Sequence, residues 1–195
     1  MYQTNYHRPS SVDEAVAMFG KGSDAKYLAG GHTLIPVMKQ RLAAPTDVID
    51  LGKIKELVGI EASGDTLTIK AAPTYFDIMQ SADVKKSIPA VAYLTSALGD
   101  PAVRHRGTIG GSVANGDPAA EIPLVAVTLD ATLVVQTAEE TSELAAAEFY
   151  LGPMITALPE GGILTSVHFP VWAEDRIGNG FHEVVHGMND GSRNM

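Results

Sequence analysis

The sequence has no cysteine among its 195 residues. Without thiols, the chain forms no disulfides, no thiolate zinc sites and no iron–sulfur clusters of its own. A protein without disulfides suits a reducing compartment, so we expect a cytoplasmic location.

Positive charge and long apolar runs are also scarce. The 14 Lys and Arg residues are outnumbered by 23 Asp and Glu residues, which gives a net charge of −9. Because an acidic surface repels phosphates, we expect no nucleic-acid partner. No apolar stretch approaches the roughly 20 residues that a membrane-spanning helix needs, and residues 1–9 lack the apolar segment of a signal peptide. We therefore expect no transmembrane segment.

What is present suits a folded domain. The chain is 45% hydrophobic and only 19% charged, so it can bury a core and is not expected to be disordered. Ser11 and Glu14 have the spacing of a capping box and predict a helix over residues 11–20. The rest of this small β-loop-α-β unit is a strand, a helix and a strand at 26–29, 34–41 and 47–51.

The remainder of the chain alternates strands with helices and predicts a larger α+β unit. Strands are predicted at 57–60, 67–71, 132–136 and 163–169, the first two joined by a turn at 62–65. Helices are predicted at 74–79, 88–98, 119–129 and 142–149.

Two glycine pairs carry the chemistry, at 30–31 and 110–111. Paired glycines let successive backbone amides point into one concavity, a nest that binds anions. Each pair lies in a predicted loop, at 29–33 and at 106–117, and hydroxyl residues adjoin both pairs. Neither matches the dinucleotide fingerprint or the P-loop. The pattern alone therefore leaves two interpretations open, anion-binding loops or ordinary tight turns.

Residues 29–36 and 108–118 together resemble the two FAD motifs of one family, the FAD-binding medium subunits of molybdenum hydroxylases. This family includes aerobic carbon monoxide dehydrogenase and the bacterial xanthine dehydrogenases. The similarity extends over about residues 1–186 and includes residues 6–9, 149–153 and 163–167.

The resemblance implies an α+β, two-lobed FAD-binding fold of the vanillyl-alcohol-oxidase-like (PCMH) type, with the flavin between the lobes. A small α/β lobe would span residues 1–55. A larger lobe with a mixed or antiparallel sheet and helices would span 56–175. Residues 176–195 would be a tail, the shortened start of a C-terminal domain that family members carry.

The same resemblance implies which residues contact FAD. The first segment would wrap the diphosphate, the second would complete it from the other lobe, and two polar residues would reach the ribityl or diphosphate region. An apolar residue would pack the isoalloxazine ring. In chain order these are Ala29, Gly30, Gly31, His32, Thr33, Thr108, Gly110, Gly111, Ser112, Asn115, Asp117 and Leu164. No catalytic residue and no metal site are expected.

The implied function is electron transfer by an FAD-dependent oxidoreductase subunit that does not act on the substrate alone. Electrons would come from iron–sulfur clusters of a small subunit and pass through FAD to an acceptor. A large subunit would hold molybdopterin, in a heterotrimeric complex with or without dimerisation. The alternative is a truncated, non-catalytic assembly module with weak flavin binding. Departures from the family pattern are His105 in place of Asn and Gly162 in place of an acidic residue.

A second motif competes with this interpretation near the end of the chain. His182, Glu183 and His186 form an H-E-x-x-H pattern, which is typical of zinc metalloproteases. Glycines flank the segment, and Ser192 stands where a metzincin would need a third His. A zinc metalloprotease is therefore the least favoured of the alternatives.

Overall fold

The computed structural model describes residues 2–172. The predicted tail at 176–195 and the H-E-x-x-H pattern at 182–186 lie outside the described residues. Among the helices of residues 2–172, none combines the length and the apolar character that crossing a bilayer requires.

The first part of the chain forms a three-stranded parallel sheet. Its strands lie in the order β1-β3-β2, with β1 at Asn5–His7, β2 at Ala25–Leu28 and β3 at Asp47–Asp50. Helices α1 (Val12–Phe19) and α2 (Leu34–Lys39) connect these strands. This is the predicted β-loop-α-β unit, with an additional strand at its start.

The start of α1 differs slightly from its sequence pattern. The Ser11 side chain accepts a hydrogen bond from the Glu14 amide at 3.1 Å, as a capping box requires. The Glu14 carboxylate instead accepts from the amide and hydroxyl of Ser10, and these bonds lower the pKa of Glu14. Half of the capping box is therefore formed. The helix that begins there buries Val12, Ala15 and Val16 against the sheet.

The second part contains a five-stranded antiparallel sheet in the order β4-β5-β10-β6-β7. The last strand within residues 2–172, β10, therefore occupies the centre of the sheet. A short hairpin, β8 with β9, stands apart from it. The strands are β4 (Ile60–Ser63), β5 (Thr66–Lys70), β6 (Thr132–Gln136), β7 (Thr141–Ala145), β8 (Tyr150–Gly152), β9 (Ile155–Thr156) and β10 (Ile163–Pro170).

Short helices pack against this sheet and share one apolar core with it. Buried side chains from β5, β6 and β10 meet those of the helices, among them the fully buried Ile78, Ile109 and Phe149. The helices that contribute to this core are α3 (Tyr75–Gln80), α4 (Ala82–Ser87), α5 (Pro89–Ala97), α7 (Ile109–Asn115), α8 (Glu121–Thr128) and α9 (Ala146–Phe149). The short helix α6 (Pro101–Arg104) has no buried residue.

The predicted α+β class is confirmed, but two predicted elements are wrong. Instead of a strand at 57–60, Lys55–Leu57 forms a 3₁₀ turn that buries Leu57, and β4 begins only at Ile60. Instead of a helix over 142–149, Thr141–Ala145 is an edge strand paired with β6, and only the last turn is helical. The alternating exposure of β7 is typical of an edge strand with one face on the core.

Truncation of Phe149 tests the core that the helices share with the large sheet. The side chain is fully buried and meets the Tyr150 ring edge-on, with centroids 5.3 Å apart. We expect Phe149→Ala to lower the free energy of unfolding by about 3–5 kcal/mol, because it leaves a cavity. Urea unfolding followed by circular dichroism measures this loss.

Leu151 provides the control two residues further along, because its side chain is 67% exposed. Leu151→Ala should change the free energy of unfolding by less than about 0.5 kcal/mol. Equal losses for the two variants would contradict the assignment of Phe149 to the core.

Candidate functional site

A cleft of about 1100 Å³ opens between the small parallel sheet and helix α7. Its volume is at the upper end of small-molecule sites, which span about 300–1,000 Å³. Its lining includes the end of β2 with the loop that follows and the start of α7, which come into contact at Ala29 and Gly111. Residues 71–77 and 158–164 close the remaining sides. Every site residue predicted from the sequence lines this one cleft.

The first glycine segment, residues 29–33, leaves its backbone donors free. Gly31 has a φ of +82°, a left-handed conformation that lets the chain turn sharply between β2 and α2. Within the described part of the chain, no amide of residues 29–33 donates a hydrogen bond to protein, and Thr33 gives α2 no side-chain cap. A run of free amides beside a cleft is the arrangement that binds anions.

The second glycine segment is not the loop that the sequence predicts. Ile109–Asn115 is helix α7, and Thr108 is its N-cap, with Oγ1 accepting from the Gly111 amide at 3.1 Å. The Gly110 amide donates to the Ala71 carbonyl at 3.0 Å. These amides are therefore used inside the protein, and the prediction of a second amide nest is wrong.

The glycines of α7 serve close packing instead. A Cβ on Gly110 would lie 2.5 Å from Cβ and 2.7 Å from O of Ala71. A Cβ on Gly111 would lie 2.8 Å from Thr108 Oγ1 and 3.6 Å from Cβ of Ala29. Without side chains, the first turn of α7 approaches both the end of β5 and the first glycine segment. What α7 can offer a ligand is the hydroxyl groups of its first turns.

One of those hydroxyl groups, that of Ser112, lies near the hydroxyl of Tyr75, a residue that the sequence motifs do not include. Tyr75 also lines the cleft. Burial raises the pKa of Tyr75, the nearby Ser112 side chain opposes this shift, and the negative charge of Glu121 adds to it. The phenol therefore stays protonated at neutral pH and remains a hydrogen-bond donor.

The remaining predicted residues, Asn115, Asp117 and Leu164, also line the cleft. Asn115 Nδ2 is 3.9 Å from Met154 Sδ, and Asp117 Oδ1 accepts from the Ala119 amide at 2.9 Å. Leu164 is 4% exposed and lies at a bulge in β10, so it contributes both to the core and to the wall of the cleft. An amide, a carboxylate and an apolar group thus line the same cleft.

Two contacts join the first glycine segment to α6 and to the turn that follows this helix. Arg106 Nε donates to the Gly30 carbonyl at 3.3 Å, and His32 Nε2 lies 3.3 Å from the Ala102 carbonyl. Arg106 lines the cleft but was not among the predicted site residues. Its position two residues before the N-cap Thr108 is the only signal in the sequence, because the partner Gly30 is 76 residues away.

Comparison with known proteins identifies the class. Residues 2–172 match the family described as FAD binding domain in molybdopterin dehydrogenase, and the chain belongs to this family. The resemblance stated from the sequence, the two-lobed FAD-binding fold and FAD as the cofactor are thereby confirmed. The prediction of an FAD-dependent oxidoreductase subunit is confirmed at the level of the family.

Individual relatives are similar over most of this chain. The carbon monoxide dehydrogenase medium chain of Hydrogenophaga pseudoflava is 40% identical over 170 residues, which are 87% of this chain and 59% of the relative. Nicotine 6-hydroxylase medium subunit of Paenarthrobacter nicotinovorans is 37% identical over 165 residues, 85% of this chain and 58% of the relative.

A solved structure of carbon monoxide dehydrogenase from Hydrogenophaga pseudoflava superposes with a TM-score of 0.86 at 40% identity, covering 88% of this chain and 60% of the other. Quinoline 2-oxidoreductase from Pseudomonas putida 86 superposes with a TM-score of 0.85 at 32% identity, covering 88% and 60%. The chain thus spans about 60% of the length of the relatives that it matches.

The residues present fit FAD. The free amides of residues 29–33 offer hydrogen-bond donors to a diphosphate. The turn that presents them has little space for a side chain at position 31, since a Cβ on Gly31 would lie 3.1 Å from Ile35 Cγ1. The volume suits a dinucleotide-sized ligand. Leu164 and its neighbours supply an apolar wall.

The packing role of Gly110 can be tested without cofactor. We expect Gly110→Ala to lower the free energy of unfolding of the apoprotein by about 1–3 kcal/mol, because the added methyl meets a backbone carbonyl that cannot rotate away. The expected net loss means that the cost of this close contact exceeds the gain of about 1 kcal/mol that alanine brings to a helix. Urea unfolding of the apoprotein measures the difference.

The control is Gly20→Ala, since that position has a φ of −64° and a Cβ there would meet nothing nearer than 4.0 Å. Its free energy of unfolding should stay within about 0.5 kcal/mol of wild type. Equal stability of the two variants would show that Gly110 is not required for the approach of α7 to Ala71.

Proposed function

We propose that this chain is the FAD-binding part of a molybdenum hydroxylase medium subunit, and that it passes electrons from a partner's iron–sulfur clusters through FAD to an acceptor. The observation that carries the proposal is the run of free amides at 29–33, which lines a cleft of dinucleotide size together with α7. When bound, FAD supplies the redox chemistry, and the protein supplies binding, orientation and electrostatics.

The roles of the individual residues follow from the geometry. Amides of residues 29–33 and the hydroxyl of Thr33 would bind the diphosphate. The hydroxyl groups of Thr108 and Ser112 would donate hydrogen bonds to the diphosphate from α7. Thr108 can do so because its Oγ1 accepts a hydrogen bond from an amide and its own proton remains available. Gly110 and Gly111 would act by letting α7 come close rather than by donating.

Farther from the diphosphate, the roles depend on the predicted position of the flavin. Asn115 and Asp117 would contact the ribityl or diphosphate region, and Leu164 would pack the isoalloxazine ring. The two-lobe division at 1–55 and 56–175 is part of this proposal. It is supported by the strand content, because the parallel sheet uses residues 5–50 and the antiparallel sheet residues 60–170.

The proposed partners follow from the absence of cysteine. A chain without thiols leaves iron–sulfur clusters to another subunit. We propose a small iron–sulfur subunit and a large molybdopterin subunit, in a heterotrimeric complex. The substrate is set outside this chain, since relatives at 34–40% identity are named for carbon monoxide, glyceraldehyde and nicotine. The two relatives at 40% identity favour the carbon monoxide dehydrogenase branch.

Flavin titration tests the proposal directly. Gly31→Ala places a side chain at a φ of +82° and 3.1 Å from Ile35 Cγ1, so residues 29–33 must shift. Left-handed backbone costs a non-glycine residue about 1–2 kcal/mol. We expect wild type to bind FAD at one site per chain and Gly31→Ala to bind it at least about tenfold more weakly, a difference of about 1.4 kcal/mol. Quenching of flavin fluorescence measures both affinities.

Gly64→Ala is the matched control for backbone strain. Gly64 has a φ of +55° at the β4–β5 turn, and a Cβ there would meet nothing within 4 Å. This variant should lose similar stability and keep the wild-type affinity for FAD. A wild-type chain that stays colourless with added FAD would instead support the alternative of a non-catalytic assembly module.

A further inference from the structure

The charged groups that line the cleft differ in whether they have a charged or hydrogen-bonding partner within the protein. Lys26 Nζ lies 3.6 Å from Asp24 Oδ1. The Asp77 carboxylate accepts from the amide and hydroxyl of Thr74, and Asp117 accepts from an amide at the start of the next turn. Within residues 2–172, the guanidinium of Arg106 forms no salt bridge, although it too lines the cleft.

Arg106 is also held in a defined position. A Cβ on Gly30 would lie 2.0 Å from the Arg106 carbonyl oxygen, so the two backbones are in direct contact. Its Nε donates to the Gly30 carbonyl at 3.3 Å, which leaves the terminal guanidinium nitrogens with no protein acceptor in the described part of the chain. The side chain thus combines a fixed base with free donors beside the amides of residues 29–33.

This arrangement matches the needs of a phosphate. The amides of residues 29–33 are neutral donors, whereas the diphosphate carries negative charge into a protein of net charge −9. A guanidinium offers planar paired donors that fit phosphate oxygens, and hydrogen bonds to charged groups are about twice as strong as neutral ones. Arg106 is placed to supply the charge that the amides lack.

We propose that Arg106 is a diphosphate-binding residue for FAD, with Nε–H orienting Gly30 and the terminal nitrogens bonding one phosphate. The inference rests on the proposed function, because it requires FAD in this cleft. It adds a cation to a site that the sequence motifs present as neutral amides and hydroxyls. It also makes one side chain responsible for two tasks, since the group that binds the phosphate also positions the loop opposite.

The test compares three variants of the full chain by titration with FAD and with riboflavin, which lacks the diphosphate. We expect Arg106→Gln to weaken FAD binding about 10- to 100-fold, the loss of one charged hydrogen bond. Riboflavin binding should change less than about twofold. Arg106→Lys should recover part of the FAD affinity, and Lys26→Gln, which removes another cation of the cleft lining, should change it less than about threefold.

Ionic strength separates charge from structure. FAD binding by wild type and by Arg106→Lys should weaken with added salt, and Arg106→Gln should be less sensitive to salt, because the screened attraction is gone. Equal FAD affinities of wild type and Arg106→Gln would overturn the inference, as would equal losses of FAD and riboflavin. Failure of wild type itself to bind FAD would overturn the proposed function and this inference with it. Urea unfolding midpoints confirm that each variant is folded.

Discussion

The contact between Gly30 and the carbonyl of Arg106 sets the geometry on which the site depends. Any side chain at position 30 would overlap this carbonyl, since a Cβ would lie only 2.0 Å from the oxygen. The contact constrains the separation between the small parallel sheet and α7, whose N-cap Thr108 follows Arg106 by two residues. The free amides and the hydroxyls of α7 therefore lie at a constrained separation. A wider or narrower cleft would separate these donors or close the space between them.

The two glycine pairs look alike in sequence but solve different physical problems. Gly30 and Gly31 form an irregular turn, so their amides find no helical or strand partner and stay available to a ligand. Gly110 and Gly111 begin a helix whose N-cap, Thr108, captures the amide that would otherwise be free. In the second pair, glycine is required because it has no Cβ, and its amides are not available to a ligand. One motif thus supplies the donors, and the other allows the approach.

The difference explains how far prediction from sequence could go. The caps Ser11 and Thr74 act within one turn, and the helices that they begin are predicted correctly. The edge strand β7 depends on pairing with β6, and no local pattern contains that pairing. The residues that line the cleft were predicted from the resemblance to a known family and not from the spacing of the glycine pairs. Arg106 was missed because its role depends on a contact with a residue 76 positions away.

The two positions predicted to depart from the family pattern, His105 and Gly162, both line the cleft. His105 stacks on Phe76 with centroids 4.1 Å apart, and its Nδ1 lies 2.7 Å from the Pro101 carbonyl, so the substituted ring ties the end of α6 to α3. That bracing holds the turn from which Arg106 extends. Gly162 ends a tight turn in which its amide donates to the Pro159 carbonyl at 2.9 Å. A Cβ there would lie 3.0 Å from the same carbonyl oxygen, so an acidic side chain would require this turn to shift. His105 thus contributes to the lining of the cleft through its ring contacts, and Gly162 through a tight turn that has little space for a side chain.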